Sequence, residues 1–305
     1  MDARVKRSLG GLRARLMGDA PAPPVTATST VAPNTGSQPR PTPPECPPGW
    51  VVGPPDFVIV GAEKSGTSRW LRLLRQHPDI HSLEGFREIH FWDDIAGRWP
   101  TEDDFDRYHR FFPRPPGGLA GEKTPHYMSL WWVPRMLAEA APKAKIIVLL
   151  RDPVERYVSG RTQLEKYRDE NVSRGMSDVV YTRRSVESSM HRGQYALQLP
   201  WIMDAFPPEQ VLILQYERCN LAPANELART FAFIGVEPFT PDAAALQREV
   251  NPAWMEKLPL EPERRELMRR LYEPEVLRLT AMVPDLDLSL WPNFAHLERP
   301  DPPGS

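Results

Sequence analysis

One segment of small, hydroxyl and basic residues has the composition of a phosphate-binding loop. It lies between a short apolar run, 57–60, and a helical pattern that begins at Thr67. The segment reads Gly61-Ala62-Glu63-Lys64-Ser65-Gly66-Thr67-Ser68. Backbone N–H groups at a helix N-terminus are unpaired and carry partial positive charge, so they bind phosphate well. Lys64 adds a full charge. The alternative is an ordinary strand-to-helix turn with an exposed lysine and a hydroxyl cap.

The order of residues in this loop differs from that of a Walker A loop. That motif places its lysine directly after the second glycine. Here Lys64 precedes Gly66. The difference argues against an ordinary ATPase or kinase. A phosphotransferase with a degenerate loop remains an alternative, and it would need a carboxylate-held Mg²⁺.

A second anion site is predicted after the apolar run 146–150. Arg151 follows that run directly, and Ser159 lies about two helical turns further on. Ligands of open α/β sheets collect at the carboxyl ends of the strands. The planar fork of arginine suits a phosphate, and serine adds a hydroxyl donor. The alternative is an ordinary helix start in which Arg151 pairs with Asp152 or Glu155.

These loops need a sheet to position them, and the pattern of the chain predicts one. Continuous apolar runs at 57–60, 146–150 and 211–214 are typical of strands buried on both faces. Helical patterns at 67–77, 194–206, 226–234 and 263–272 alternate with them, and Pro274 should break the last helix. We predict an α/β fold, a single P-loop-like domain with a central parallel sheet flanked by helices on both faces.

Composition divides the chain of 305 residues into three parts. Residues 1–49 form a basic N-terminal segment and a Pro-rich disordered linker, 50–297 the folded domain, and 298–305 a flexible tail. Residues 1–18 have a weak amphipathic pattern that fits peripheral membrane contact; a solvated helix is the alternative. No run has the length of a transmembrane segment, and the N-terminus lacks the apolar stretch of a secretory signal.

Charge and cysteine content exclude several classes of protein. The net charge of -2 gives no general case for nucleic-acid binding. Cys46 and Cys219 suggest neither a disulfide framework nor a zinc site, and no metal-ligand cluster is evident. A cytoplasmic location is expected. The oligomeric state is not readable from the sequence.

Four motifs together resemble the sulfotransferases that use 3′-phosphoadenosine 5′-phosphosulfate (PAPS). Lys64–Ser68 resembles their 5′-phosphosulfate loop, and Arg151–Ser159 resembles their 3′-phosphate segment. Two further motifs are similar to the heparan sulfate sulfotransferase branch, and the overall look is that of bacterial, soluble members. These motifs read Phe86-Arg87-Glu88-Ile89-His90-Phe91-Trp92 and Glu122-Lys123-Thr124-Pro125-His126-Tyr127.

The resemblance implies a role for each matching residue. The donor PAPS would be held by Lys64, Ser65, Gly66, Thr67, Ser68, Arg151 and Ser159, without a metal. Lys64 would stabilise charge on the leaving group. Glu88 would be the general base, with His90 as a rival, and Lys123 would lie near the reacting group unless it is a solvated turn lysine. The acceptor would contact Arg87, His126 and Tyr195; for Tyr195, a place in the core is an equal alternative.

The implied reaction is transfer of a sulfuryl group to a hydroxyl or amino group of an acceptor. The resemblance favours a carbohydrate, and a small metabolite stays open. A module that binds the nucleotide without transferring sulfate is a second alternative. The 250–262 region does not obviously reproduce the loop that closes over the nucleotide in the heparan enzymes.

Overall fold

The computed structural model describes residues 42–82, 88–166, 186–247 and 257–297. Within these residues a five-stranded parallel sheet forms the centre of the fold. Its strands are β1 (Phe57–Gly61), β2 (Ile80–His81), β3 (Leu119–Lys123), β4 (Lys145–Leu150) and β5 (Val211–Gln215). The spatial order is β2-β3-β1-β4-β5. The predicted fold class is confirmed.

The helices connect the strands and cover the sheet. They are α1 (Thr67–Leu74), α2 (Glu102–His109), α3 (Val133–Ala140), α4 (Pro153–Lys166), α5 (Tyr195–Met203), α6 (Tyr216–Leu221), α7 (Pro223–Ile234), α8 (Ala243–Gln247) and α9 (Pro262–Met282). Among the residues described, none of the helices combines the length and apolarity that crossing a bilayer requires. The predicted strands and helices all occur, with ends shifted by a few residues except at the last helix, which ends ten residues later than predicted.

The core has two parts, one on each face of the sheet. Alternate residues of β1 and β4 point to opposite faces, so Val58 and Ile146 pack in one cluster while Ile59 and Ile147 pack in the other. All four side chains are fully buried. This double burial explains why the strands are continuous apolar runs rather than alternating ones.

Parallel strands bring their carboxyl ends to one edge of the sheet. At that edge β1 leads into the loop 62–66, β3 ends at Lys123, β4 leads to Arg151, and β5 leads to Tyr216. β1 pairs with both β3 and β4, so it lies between the strands that carry Lys123 and Arg151. The sheet therefore places groups distant in sequence around the loop of β1.

Some elements were missed and one was predicted wrongly. β3 reads LAGEK, which lacks the apolar run expected of a buried strand. The prediction that Pro274 breaks the last helix is wrong, because α9 continues through it to Met282. Pro274 lies on an exposed position of the helix. Tyr272 and Val276, on either side, are buried against the core, so tertiary packing holds the helix across the missing N–H group.

The boundaries predicted at residues 50 and 297 remain predictions. Val51 pairs with Arg114 through two backbone hydrogen bonds of 2.9 and 3.0 Å, which attach the start of the domain to the rest. The segment 1–18 and the tail 298–305 lie outside the described residues, as do Arg87 and most of 250–262.

We expect Pro274→Ala to raise the free energy of unfolding by about 1–3 kcal/mol, since alanine restores a helix hydrogen bond that proline lacks. Urea denaturation measures the change. Pro262→Ala is the matched control, because Pro262 begins the same helix, where the N–H group has no intrahelical acceptor. We expect the control to change stability by less than about 0.5 kcal/mol. A loss of stability in Pro274→Ala would contradict this account.

Candidate active site

The loop after β1 has a backbone that requires glycine at one position. Gly66 is the N-cap of α1 and has a φ of 81°, in the left-handed region. A Cβ atom there would also lie 2.8 Å from the ring of Tyr216. Both constraints exclude a side chain at Gly66. The sequence Ser65-Gly66-Thr67 therefore turns directly from the loop into the helix.

The amide groups of this loop divide into two kinds. The N–H group of Ser65 donates to the carbonyl of Ala62 at 3.2 Å, and the Ser65 side chain is fully buried. Ser65 thus supports the turn. Thr67 and Ser68 occupy the first turn of α1, where the helix offers their N–H groups no acceptor. These two amides are the ones placed to bind an anion.

Lys64 is held at the edge of the loop rather than in solvent. Its Nζ donates to Oε1 of Gln163 on α4 at 2.7 Å. Burial lowers the pKa of the Lys64 ammonium, and nearby Arg151 acts in the same direction while Glu63 opposes it. Glu63 itself forms an ion pair with Arg192. An anion at this loop would relieve the repulsion between Lys64 and Arg151.

Arg151 is directed at the same loop. Its Nη1 donates to the carbonyl of Lys64 at 2.9 Å, and its guanidinium lies 4.7 Å from the ring centroid of Tyr216. Tyr216 therefore contacts both Gly66 and Arg151. Ser159 is half-buried on α4 and precedes Gly160, whose Cβ position would lie 3.8 Å from Cγ of Lys64. The two anion sites predicted from the sequence are thus adjacent.

The acidic neighbours of Arg151 have other partners. Asp152 caps α4, accepting from the N–H groups of Val154 at 2.9 Å and of Glu155 at 3.2 Å. Glu155 accepts from Arg265 at 2.6 Å. The alternative in which Arg151 pairs with Asp152 or Glu155 is therefore not what the structure shows.

Lys123 connects the loop to the segment that begins at Glu88. It ends β3, is 3% exposed, and donates from Nζ to Oε1 of Glu88 at 2.6 Å and to Oγ of Ser68 at 3.0 Å. The alternative of a solvated turn lysine is wrong. A single ammonium group joins the anion loop to a carboxylate.

A chain of charged side chains extends from Glu88. Nε2 of His90 lies 3.0 Å from Oε2 of Glu88, and Nδ1 of His90 lies 2.8 Å from Oδ2 of Asp93. Nδ1 of His126 lies 2.9 Å from the same Asp93 oxygen. The four side chains form one row, Glu88–His90–Asp93–His126. Each is partly exposed, so the row borders solvent.

These contacts shift the protonation of each group. Burial alone would raise the pKa of Glu88, but the hydrogen bond from His90 and the charge of Lys123 outweigh it and bring the pKa to about 2. Burial would lower the pKa of His90, but Asp93 and Glu88 raise it to about 10. Asp93 has a lowered pKa because its hydrogen bonds from His126 and His90 outweigh burial. Near neutral pH, Glu88 is ionised and His90 carries a proton on both nitrogens.

The buried carboxyl of Glu122 supports the segment 88–90 through Thr124. Oε2 of Glu122 accepts from the Thr124 hydroxyl at 2.7 Å, and Oγ1 of Thr124 accepts from the N–H group of Ile89 at 3.2 Å. Glu122 also accepts from the hydroxyl of Tyr108. Burial raises the pKa of Glu122 to about 7, although both hydrogen bonds oppose this. The segment 88–90 is therefore held by side chains rather than by pairing with a strand.

Two predicted acceptor contacts have different outcomes. His126 ends the row of charged side chains, in contact with Asp93. Tyr195 was interpreted as a substrate residue, and the structure corrects this. Its ring is 1% exposed, and its hydroxyl donates to the carbonyl of Arg151 at 3.0 Å. A ring buried on α5 supports Arg151 and has no free face for a ligand.

Three functional features were missed from the sequence. Tyr216 follows a strand end, the position where ligands collect, and that signal was available. Asp93 lies three residues after His90, but nothing local indicates that it joins two histidines. No metal-ligand cluster is evident in the sequence, whereas the structure brings the ligand atoms of His90, Asp93 and His126 within 4.8 Å of one another.

The site agrees with the comparisons with known proteins. Residues 54–257 match the family model of the sulfotransferase domain, so the chain belongs to the sulfotransferase domain family. That segment contains the loop after β1, Glu88, Lys123 and Arg151. The resemblance noted in the sequence is confirmed.

Individual relatives come from animals and bacteria. The chain is 32% identical over 202 residues to human heparan sulfate glucosamine 3-O-sulfotransferase 3B1, covering 62% of this chain and 48% of the relative. It is 28% identical over 200 residues to mouse bifunctional heparan sulfate N-deacetylase/N-sulfotransferase 3, covering 60% of this chain and 22% of the relative. The chain spans about half or less of the length of these relatives.

A solved bacterial structure matches more of the fold. The sulfotransferase from Alicyclobacillus acidocaldarius has a TM-score of 0.58 and 28% sequence identity to this chain. The match covers 79% of this chain and 99% of that chain. The parallel sheet and its loops are therefore those of a sulfotransferase fold.

We expect Glu122→Gln to flatten the pH dependence of stability between about pH 4.5 and 7. A carboxyl whose pKa is raised in the folded state binds its proton more tightly there than in the unfolded chain. Its stabilising contribution is therefore complete below about pH 4.5 and is lost as pH rises towards 7. The loss amounts to at most about 3 kcal/mol.

Urea denaturation of the wild type and of Glu122→Gln at several pH values gives the difference between their free energies of unfolding. Taking this difference cancels the contributions of the other titrating groups, which the two proteins share. Tyr108→Phe is the control, because it removes a hydrogen bond to Glu122 and keeps the carboxyl; its slope should persist. Identical slopes in wild type and Glu122→Gln would contradict the shifted pKa.

Proposed function

We propose that the protein transfers a sulfuryl group from PAPS to a hydroxyl or amino group of an acceptor. The observation that carries the proposal is the position of Lys123. Its ammonium contacts Ser68 of the loop that would hold the donor and Glu88, the carboxylate that would deprotonate the acceptor. Membership of the sulfotransferase domain family supports the donor.

The donor would lie along the edge formed by β1 and β4. The amides of Thr67 and Ser68 would bind its 5′-phosphate, and Arg151 with Ser159 would bind its 3′-phosphate. Gly66 allows the backbone to approach, and Ser65 supports the turn. The nearby positive charges of Lys64 and Arg151, which repel each other, favour a ligand with several negative charges.

Transfer requires one bond to form and one to break at sulfur. The acceptor oxygen or nitrogen attacks sulfur and gives its proton to Glu88. The bond between sulfur and the bridging oxygen breaks, and the electron pair goes to the 5′-phosphate. Lys64 and the amides of α1 stabilise the negative charge that develops on this leaving group. Positioning and charge stabilisation account for most of the catalysis, and the step itself needs no metal.

Lys123 would couple donor binding to the strength of the base. In the structure Glu88 has a pKa of about 2, which is too low for an efficient general base. An anionic donor beside Ser68 would attract Lys123 away from Glu88. The pKa of Glu88 would then rise, and the carboxylate would become a better proton acceptor.

His90 fits a positioning role better than a catalytic one. With a pKa of about 10 it already carries a proton near neutral pH, so it has no lone pair to accept another. Its Nε2 proton orients Glu88, and its Nδ1 proton is held by Asp93. Glu88 therefore remains the proposed base, and His126, beside Asp93, remains a proposed acceptor contact.

The acceptor is proposed to be a carbohydrate or a small metabolite. The human and mouse relatives are named for heparan sulfate, which supports a carbohydrate. Arg87 remains a proposed acceptor contact on sequence grounds. The cytoplasmic location, the absence of nucleic-acid binding and the boundaries of the domain at 50 and 297 likewise stand as proposals.

We expect the protein to bind 3′-phosphoadenosine 5′-phosphate (PAP) in calorimetry far more tightly than AMP. Arg151→Ala should weaken PAP binding by at least about tenfold, since it removes a charged contact to the 3′-phosphate. The same variant should bind AMP, which lacks that phosphate, almost as the wild type does. Lys64→Ala should weaken both nucleotides.

The control for this titration is Arg264→Ala, because Arg264 is an exposed arginine near the start of α9. It should bind PAP as the wild type does. Equal binding of PAP, AMP and ATP would overturn the donor assignment, and ATP hydrolysis that requires Mg²⁺ would favour the phosphotransferase alternative.

We expect Glu88→Gln to reduce the rate of sulfuryl transfer by about 10²–10⁴-fold while PAP affinity stays close to that of the wild type. Transfer of radiolabelled sulfate from PAPS to an acceptor panel measures the rate. His90→Gln should cost less, because glutamine can still donate to Glu88. Full activity in Glu88→Gln would contradict the base, and a protein that binds PAP but transfers to no acceptor would support the non-catalytic alternative.

A further inference from the structure

Three side chains at the acceptor edge present metal-ligand atoms to one point. Nδ1 of His90 and Nδ1 of His126 lie 2.8 and 2.9 Å from the same oxygen, Oδ2 of Asp93. All three ligand atoms lie within 4.8 Å of one another. Two imidazole nitrogens and a carboxylate oxygen are donors that Zn²⁺ and related divalent transition metals prefer.

The spacing of these atoms is close to that of a metal site. Ligand atoms bound to Zn²⁺ at about 2.0–2.1 Å lie roughly 3.3 Å apart in a tetrahedral arrangement. The two separations between Nδ1 and Oδ2, 2.8 and 2.9 Å, need to open by only a few tenths of an ångström. The two histidines come from different segments, 88–95 and the turn after β3, so a movement between these segments can adjust the distance between their nitrogens, which is at most 4.8 Å.

A second observation concerns the other oxygen of Asp93. Its Oδ1 is buried and accepts no hydrogen bond from any residue that the structure describes. A buried carboxylate oxygen without a partner is costly, and a metal ion is one group that satisfies it. Asp93 therefore has acceptor capacity that the histidines leave unused.

A third observation is the partner of His90 on its far side. Metal-bound histidines usually donate their second ring nitrogen to a carboxylate, which fixes the ring. Nε2 of His90 lies 3.0 Å from Oε2 of Glu88. The ring is thus already oriented with Nδ1 towards Asp93 and Nε2 towards a carboxylate.

We propose that His90, Asp93 and His126 bind one divalent transition metal ion such as Zn²⁺, that the ion displaces the Nδ1 proton of His90 into solvent, and that the bound ion slows sulfuryl transfer. Water would complete the coordination shell. All seven histidines of the chain and both cysteines lie among the described residues. Within that part of the chain, this is the group that offers three ligands together.

The effect on transfer follows from the position of Glu88. A dication on Nδ1 of His90 would lie one imidazole ring away from the carboxylate that accepts the acceptor's proton. The ion and the waters bound to it would occupy the edge beside Glu88 and His126 that the acceptor would use, so bound metal would compete with the acceptor. This half of the proposal rests on the proposed function, whereas metal binding itself does not.

The test of binding uses the full chain without a polyhistidine tag. Calorimetric titration with Zn²⁺ should show about one equivalent bound, and Co²⁺ should give the visible absorption of a low-symmetry site with nitrogen ligands. His126→Asn should lose both signals, because asparagine is a poor metal ligand. Asparagine can still donate a hydrogen bond to Asp93, so the surrounding contacts are kept. Asp93→Asn should lose both signals as well.

His296→Ala is the matched control, since His296 is a half-exposed histidine outside the cluster. It should bind Zn²⁺ as the wild type does. Thermal unfolding without metal checks that each variant is folded. Zn²⁺ binding that survives in folded His126→Asn, that is lost in His296→Ala, or that is absent in the wild type would overturn the site.

The test of inhibition compares the transfer rate of each protein with and without Zn²⁺. Wild-type transfer should slow by at least about tenfold with saturating Zn²⁺ and recover with a chelator. The ratio of rates with and without Zn²⁺ should be close to one in His126→Asn, which also controls for Zn²⁺ binding to the phosphates of PAPS. An equal loss of transfer rate with Zn²⁺ in the wild type and in His126→Asn would overturn the inhibitory role. A wild type that binds Zn²⁺ but transfers no sulfate would sink the proposed function and leave the metal site standing.

Discussion

The bridge made by Lys123 is the interaction on which the arrangement of the site depends. One buried ammonium group contacts Ser68 on the loop after β1 and Glu88 on the opposite segment. It can do so because β3 pairs directly with β1, which brings the end of one strand beside the loop of the other. A buried lysine requires anionic or polar partners, so the sheet, the loop and the carboxylate constrain one another.

The two halves of the site have different mechanical supports. The proposed donor half lies on strand ends and on the first turn of α1, and Tyr216 packs against both Gly66 and Arg151. The proposed acceptor half lies on residues 88–95, which pair with no strand that the structure describes; there His90 has a φ of 52° and the backbone of Ile89 is held by the hydroxyl of Thr124. The first is fixed by the sheet, and the second by a small set of polar side chains.

The positions of the loop 61–68 and Arg151 could be predicted from the sequence better than those of Lys123, Asp93 and His126, for physical reasons. The loop 61–68 and Arg151 follow apolar runs, so their place at the carboxyl edge of a sheet follows from a general rule. β3 carries Gly121 and Glu122 where a buried strand usually has apolar residues, so it was missed, and with it the burial of Lys123. Tyr195 has a helical pattern that fits both a core and a cleft, and only packing decides between them. The meeting of Asp93 with His126 depends on tertiary structure alone.

The hydroxyl support of residues 88–90 has a consequence for how such a chain diverges. Because the N–H group of Ile89 is held by the Thr124 hydroxyl rather than by a strand ladder, the path of this segment can diverge while the hydrogen bonds of the sheet stay intact. Glu88 and Ile89 themselves are constrained, the first by Lys123 and the second by burial in the core. Divergence is therefore expected in how the segment is placed, whereas changes in the loop after β1 disturb the centre of the fold.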